Sequence, residues 1–435
     1  MPDASSQSGG RGEHYDVIVA GASFAGLSFA GAAAALGLRV LVLERDAEVG
    51  RIVRTTGVLF SDVLDVLNVP ARFLMNAVRR VRLQPPAHAP IEIGAHAFRF
   101  YMADVPGMLH WMAGEAEGHG ATIRCGSPFV GVEPGDDGQM RVSYGSPSAT
   151  DGGGATSRAP SYVAYTRFLV GADGAQSVVA QALGLDQNTR FLAGAEWLVE
   201  GVPLDGETFY LVMDHALAPG YCVWLAPHRD IAAFGVAGHL RDFKPAESLR
   251  LAQAAFADVA DLSGMRVVER KAGVIPVVGR LKRVYRDDAR GRGLLLGDAA
   301  GLCGAATGGG IYPALISGRL AAHAVANEVL NGKAGAVKAY LRDLPQAGRL
   351  GHYLQIEDWL RWVLDRMGSN ADLTMLYGLF TSPDGRRILQ STLLETPIIG
   401  MDGSFFAMLR SLLGRHPGVY GSAFKAALRR VATRA

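Results

Sequence analysis

The sequence predicts an α/β protein with a parallel sheet, a second, inserted antiparallel-sheet domain and a helical C-terminal region. Three observations carry this. Residues Tyr15 to Asp46, "YDVIVAGASFAGLSFAGAAAALGLRVLVLERD", read as strand, glycine turn, helix and strand. Between about residues 190 and 280, short apolar runs such as "FYLVMD", "YCVWLA" and "IAAFGVAG" alternate with turns. Then "GLLLGDAAGLCGAATGGGIYPALISGR", Gly293 to Arg319, returns to strand, turn and helix, and the chain beyond about 330 is helix-like.

The elements follow in order. Residues 1–14 are polar and rich in Gly and Ser, lack the apolar run of a signal peptide, and read as a disordered tail. Val17 to Ala20 is a short β-branched run. The alanine-rich stretch after Gly26 favours helix, and Gly37 suits its C-terminal stop. Arg39 to Glu44 is the second strand, so the unit is βαβ and its sheet parallel. Val17 to Leu36 is uncharged and as long as a membrane span, but Gly21, Gly26 and Gly31 and the βαβ pattern account for it. Tyr101 to Gly120 holds a helix that leads into a strand. Met140–Tyr144 and Tyr162–Val170 form a hairpin whose tip, Gly145 to Ser161, is loop by composition. The expected division is residues 15–80, 100–188 and 285–330 in the first domain, 81–99 and 189–284 in the second, and 331–435 in the helical region.

At 435 residues, with 49% hydrophobic and 19% charged residues, the chain can bury large cores. A formal net charge of +2 gives no reason to expect nucleic acid. Cys125, Cys222 and Cys303 form no C-x-x-C pair and no disulfide framework. No metal site is expected, and a reducing cytoplasm is the simplest setting.

Three motifs carry chemistry. In Gly21 to Gly26, G-A-S-F-A-G, Gly21 permits a tight turn and Gly26 close helix–strand packing. Ser23 replaces the middle glycine of a dinucleotide fingerprint, and its hydroxyl could bind phosphate. Glu44, 18 residues after Gly26, stands where a ribose-binding acid belongs. An acid there favours an unphosphorylated ribose, as in FAD or NAD. Arg45 lies over an adenine or is solvated; both readings stay open. In the second motif, Asp298 ends a strand as a lone carboxylate, suited to a sugar or ribityl hydroxyl. Gly308, Gly309 and Gly310 let backbone approach a flat ring. The helix from Ile311, with Pro313 in its first turn, points its positive end at the same place. The whole stretch suits a bound flavin. Cys303 reads as a small packing residue. The third motif, "VGADGAQSVV", holds Asp173 and Gly174 after a strand and is by itself compatible with a plain turn.

Together these motifs resemble flavoproteins of the para-hydroxybenzoate hydroxylase fold, over most of residues 15 to 330. The resemblance implies a Rossmann-like FAD-binding domain. It implies FAD contacts from Gly21, Ser23, Phe24, Ala25, Gly26, Glu44, Arg45, Arg54, Val130, Asp173, Asp298, Gly309, Gly310 and Ile311, with NAD(P)H as a transient electron donor; Arg54 is otherwise a solvated charge. Residues 308 to 318, "GGGIYPALISG", are similar to the geranylgeranyl reductase branch. Its Y-x-W-x-F-P signature is partly kept in "GYCVWLAPH". Trp224 and Pro227 keep the spacing, Tyr221 is one residue early and Ala226 replaces the phenylalanine. Tyr221 and Trp224 are then substrate contacts, or else plain sheet packing. The chain departs from the branch at Ala180 and Gln181, where an arginine is usual. It departs again at Thr55 and Thr56, where a cysteine–glycine pair is usual.

The expected activity is FAD-dependent reduction of a carbon–carbon double bond in an isoprenoid or lipid-like, apolar small molecule. An FAD monooxygenase of aromatic or polyketide substrates is the alternative, disfavoured by the lack of a proline near Ala305 and Ala306. A non-redox lipid chaperone ranks third. No catalytic acid or base is singled out. Met401 to Ala435 carries six Arg/Lys and one acid, with apolar residues at helical spacing. It reads as a docked helix or as a membrane-surface helix, which would make the protein membrane-peripheral. The oligomeric state is not legible.

Overall fold

In the computed structural model, residues 13–94, 100–145, 162–241, 243–383 and 385–387 are described. The first domain is built on an eight-stranded sheet. Strands Gly291–Leu295, Tyr162–Gly171, Glu13–Ala20, Val40–Leu43 and Thr122–Arg124 run parallel in that spatial order. Val17, Ile18, Leu41 and Leu169 are fully buried, as expected for the strands of a covered parallel sheet. The hairpin of Met140–Tyr144 with Tyr162–Gly171 is present and antiparallel. Its tip, residues 146–161, and the C-terminal stretch from 388 lie outside the described residues.

Two expectations need correction. The first strand begins at Glu13, inside the stretch read as tail, because Glu13 and His14 already pair with Ala164 and Tyr165. A small third sheet, Val58–Leu59, Phe100–Ala103 and Leu74–Val78, was also not anticipated. Its strands are short and irregular, and a register shift breaks their alternation.

Helix Phe24–Ala35 packs on helix Ile311–Val329 at very close range. A Cβ on Gly318 would lie 2.5 Å from the Ala25 carbonyl oxygen, so only glycine lets the two backbones meet. The second sheet has seven strands, drawn from residues 80–94 and 191–276. It is antiparallel except where Thr208–Val212 runs parallel to Arg80–Gln84. Its side chains alternate between two faces. Trp197, Phe234 and Val236 pack with Leu249 and Phe256 into one core. Glu196, Trp224 and Lys271 point the other way, into a cavity. Helices Leu350–Leu364 and Asn370–Gly378 close that cavity from the far side.

Candidate cofactor and substrate site

A cavity of about 1220 Å³ lies between the first domain, the second sheet and the C-terminal helices. One arm is framed by residues 20–25, 44–46 and 172–176, the middle by Asp298 and residues 306–311, and the other arm by the sheet face.

In the first arm the chain turns sharply at Gly21, with φ of 103°, where a side chain would strike Ala172. A Cβ on Gly26 would sit 1.9 Å from the Gly21 carbonyl oxygen. This explains both glycines by packing. Ser23 caps helix Phe24–Ala35 by position but makes no side-chain capping bond, so its hydroxyl is exposed and uncommitted beside the helix N-terminus. That arrangement can take a phosphate oxygen. The Glu44 carboxylate accepts from the amides of Ala22, at 2.8 Å, and Asp46, at 2.9 Å, and so clamps the turn to the second strand. Arg45 is paired with Asp46.

Asp173 also lines this arm, but its carboxylate is turned away. It accepts from Ser177 Oγ at 2.6 Å and from the amides of Val178 and Val179, and thus caps helix Val178–Ala182. Burial raises its pKa, against the Ser177 hydrogen bond and the amides. The acid in this motif therefore shapes the turn. Val130 is not in the cavity lining; Pro128 and Phe129 are.

In the middle, the Asp298 carboxylate receives no hydrogen bond from any described residue, and burial pushes its pKa up to about 6. A half-buried acceptor without a donor fits a ligand hydroxyl. A Cβ on Gly310 would lie 3.0 Å from Asp298 Oδ1, so bare backbone keeps that oxygen open. The loop beside it is held from outside. Glu357, fully buried, accepts at one oxygen from the amides of Ala306 and Thr307, both 2.9 Å, and from Thr307 Oγ1. Tyr353 donates to the Gly309 carbonyl at 3.0 Å. Tyr221 donates to the Thr307 carbonyl at 2.6 Å, which ties the second sheet to the loop. Cys303 is buried against it, and burial, then Asp298, raise its pKa well above the ordinary thiol value.

The third arm has a polar stripe in an apolar wall. Lys271, Glu196, Gly235 and Trp224 occupy successive strands in one row. The Trp224 ring lies across Gly235, where a Cβ would come within 2.1 Å of it. Its Nε1 donates to Glu196 at 3.0 Å, and Lys271 pairs with the other Glu196 oxygen at 3.3 Å. The next row presents Gly273 and Gly194, an open floor against which the Arg54 side chain runs. Arg54 is exposed and without a hydrogen bond or ion pair among the described residues; partial desolvation, then the nearby Arg45, lowers its pKa. Beyond lie Leu83, Phe209, Leu211, Trp359, Leu376 and Phe380. No histidine among the described residues lines the cavity.

Sequence reasoning missed Glu196, Lys271, Tyr353 and Glu357. Tyr353, Glu357 and Arg361 recur at i, i+4 and i+8 in a helix, and polar groups at that spacing inside an apolar stretch were the available signal.

FAD fits this donor set: a glycine turn before a helix N-terminus, an acid at the second strand end, a donor-free Asp298 and a glycine loop. Residues 14–340 match the family model described as FAD binding domain. The chain is 26% identical over 414 residues to digeranylgeranylglycerophospholipid reductase 2 of Methanothermobacter thermautotrophicus, covering 92% of this chain and 98% of that protein. It is 25% identical over 385 residues to digeranylgeranylglycerophospholipid reductase of Methanocaldococcus jannaschii, covering 85% and 92%. A geranylgeranyl bacteriochlorophyll reductase-like structure from Thermoplasma acidophilum superposes with a TM-score of 0.74 at 20% identity, covering 94% of this chain and 98% of that one. A flavin-dependent brominase superposes at 0.63 with 15% identity, covering 92% and 99%, and shares the fold. The expected resemblance to geranylgeranyl reductases is borne out, and with three quarters of its length inside the family model the chain belongs to the FAD binding domain family and is an FAD-dependent oxidoreductase.

Proposed function

We propose that the protein reduces a carbon–carbon double bond in an apolar, isoprenoid-like substrate. The observation that carries this is the continuity of the cavity. A cradle suited to FAD opens directly onto an arm walled by Leu, Phe, Trp and Met side chains, a lining suited to a hydrocarbon chain. The reductase names of the relatives support the same reading.

In this reading the FAD pyrophosphate lies at Gly21, Ser23, Phe24, Ala25 and Gly26, the ribose at Glu44 and the ribityl chain at Asp298. The flavin ring faces Gly309, Gly310 and Ile311, with Arg54 alongside. Bound reduced flavin supplies a hydride, and the protein supplies position and a dry pocket. Trp224 and Tyr221 shape the wall next to the ring, and Lys271 with Glu196 is the charged pair within it. NAD(P)H is the transient electron donor. No helix among the described residues is long and apolar enough to cross a membrane. The substrate, in this reading, is met in the cytoplasm or at a membrane surface.

The test is anaerobic. The purified flavoprotein is reduced with NADPH, NADH or dithionite and mixed with geranylgeranyl-type alkenes. Reoxidation of the flavin with a product two hydrogens heavier supports the proposal. NAD(P)H oxidation that needs dioxygen and yields a hydroxylated product would overturn it in favour of a monooxygenase.

A further inference from the structure

The family match ends at residue 340, yet the loop that faces the cofactor is anchored by a helix beyond it. Residues 304–309 form a turn closed on itself: Gly304 donates to the Gly309 carbonyl, and Gly308 donates back to the Gly304 carbonyl. The amides of Ala306 and Thr307 point outward from this turn. Buried amides need partners, and both find one oxygen of Glu357. Thr307 Oγ1 donates to that same oxygen and accepts from the Gly309 amide at 3.3 Å, so the carboxylate is one hydrogen bond from residues that line the cavity. One turn on, Arg361 donates to the Gly220 carbonyl, in the turn that leads into strand Val223–His228 of the second sheet. A single helix thus grips the loop and the sheet together.

We propose that Glu357 is a positioning residue that clamps the loop 304–310 and, as a buried negative charge behind it, lowers the reduction potential of the flavin on its other side. The proposal rests on FAD lying against residues 306–311. Reduction adds negative charge to the flavin, and the N-terminus of helix Ile311–Val329 favours that charge. Glu357 opposes it, and buried charges are little screened. Burial raises the Glu357 pKa, and the three hydrogen bonds from Ala306 and Thr307 to one of its oxygens oppose that rise and favour the ionised form. A lower potential makes the reduced flavin a stronger hydride donor toward an unactivated alkene.

The experiment uses the full-length holoenzyme with Glu357→Gln, Glu357→Met and Tyr353→Phe. Gln keeps an acceptor for the two amides and removes the charge. Tyr353→Phe loosens the loop and leaves the charge. The potential of the bound flavin is read by equilibration with a reference dye, and FAD affinity by titration of the apoprotein. At a fixed ambient potential, both Glu357 variants should raise the reduced-to-oxidised ratio about tenfold, or ~30 mV for a two-electron couple. Tyr353→Phe should weaken FAD binding and leave the potential in place. An unmoved potential in flavin-loaded E357Q, or an equal shift in Y353F, would overturn the proposal. In the unsubstituted protein the Ala306 and Thr307 amides should exchange slowly with solvent. Rapid exchange there refutes the clamp whether or not any variant folds. If the protein holds FAD but reduces no alkene, the reductase reading fails and this result stands; if it holds no flavin, both fail.

Discussion

Replacing Asp298 separates stability from cofactor binding. Burial without a donor raises the Asp298 pKa from 3.8 to about 6. A raised carboxylate supports the folded state below its ordinary pKa, and that support is lost as pH rises through about 6. At pH 8 the flavin-free protein carries the full cost of an unsolvated charge. At about 1.4 kcal/mol per pKa unit the cost is at most about 3 kcal/mol. Asp298 opens to the cavity, so solvent screening cuts this to about 1 kcal/mol. Asp298→Asn removes the charge and should raise the Tm of the apoprotein at pH 8 by about 2 °C. Below pH 3.8, where the carboxyl is protonated in both folded and unfolded chains, the gain should vanish. The same change takes away a charged acceptor for a ligand hydroxyl, a loss of about 1.5–3 kcal/mol. FAD affinity should then fall about tenfold or more. Asp298→Ala should purify with little flavin, whereas Cys303→Ala should keep it. Melting curves of stripped protein and flavin absorbance of purified protein measure both effects. An Asp298→Asn apoprotein less stable than its parent at pH 8, or one that keeps full flavin content, would refute the reasoning.

Two further changes probe the glycines. Gly26→Ala puts a Cβ 1.9 Å from a backbone oxygen that cannot move without breaking the first turn; soluble yield should collapse, and a well-folded, flavin-loaded G26A protein would contradict this packing. Gly235→Ala drives the Trp224 ring off Glu196. It should cost about 1–3 kcal/mol by overpacking and cut alkene turnover while FAD content stays full, as steady-state assays and flavin absorbance would show.

Much of the fold was legible because its signals are local. The β-branched run before Gly21, the alanine-rich helix and the strand ending at Glu44 lie within 30 residues and are written in period and turn chemistry. The glycine loop after Asp298 was legible for the same reason, since three glycines in a row mark bare backbone; in the structure Gly308 has φ of 72° and a Cβ on Gly309 would lie 2.5 Å from the Tyr353 hydroxyl. The roles of Asp173 and Tyr221 were not. Asp173 spends its carboxylate on a helix cap, and Tyr221 spends its hydroxyl on the Thr307 carbonyl. Both are decided by three-dimensional contacts. The Lys271–Glu196–Trp224 row joins residues from three strands that share a register only once the sheet has formed. The small third sheet lacks alternation and left no pattern to read.

The anchor of the glycine loop also has a consequence for biosynthesis. Thr307 waits for Glu357, 50 residues downstream. As the chain leaves the ribosome, the glycine turn at residues 21–26 and the lone Asp298 emerge long before the helix that steadies the loop between them and the sheet. Firm capture of the coenzyme is therefore a late event, and a ribosome that stops between those two positions releases a polypeptide with its motifs intact and its grip unfinished.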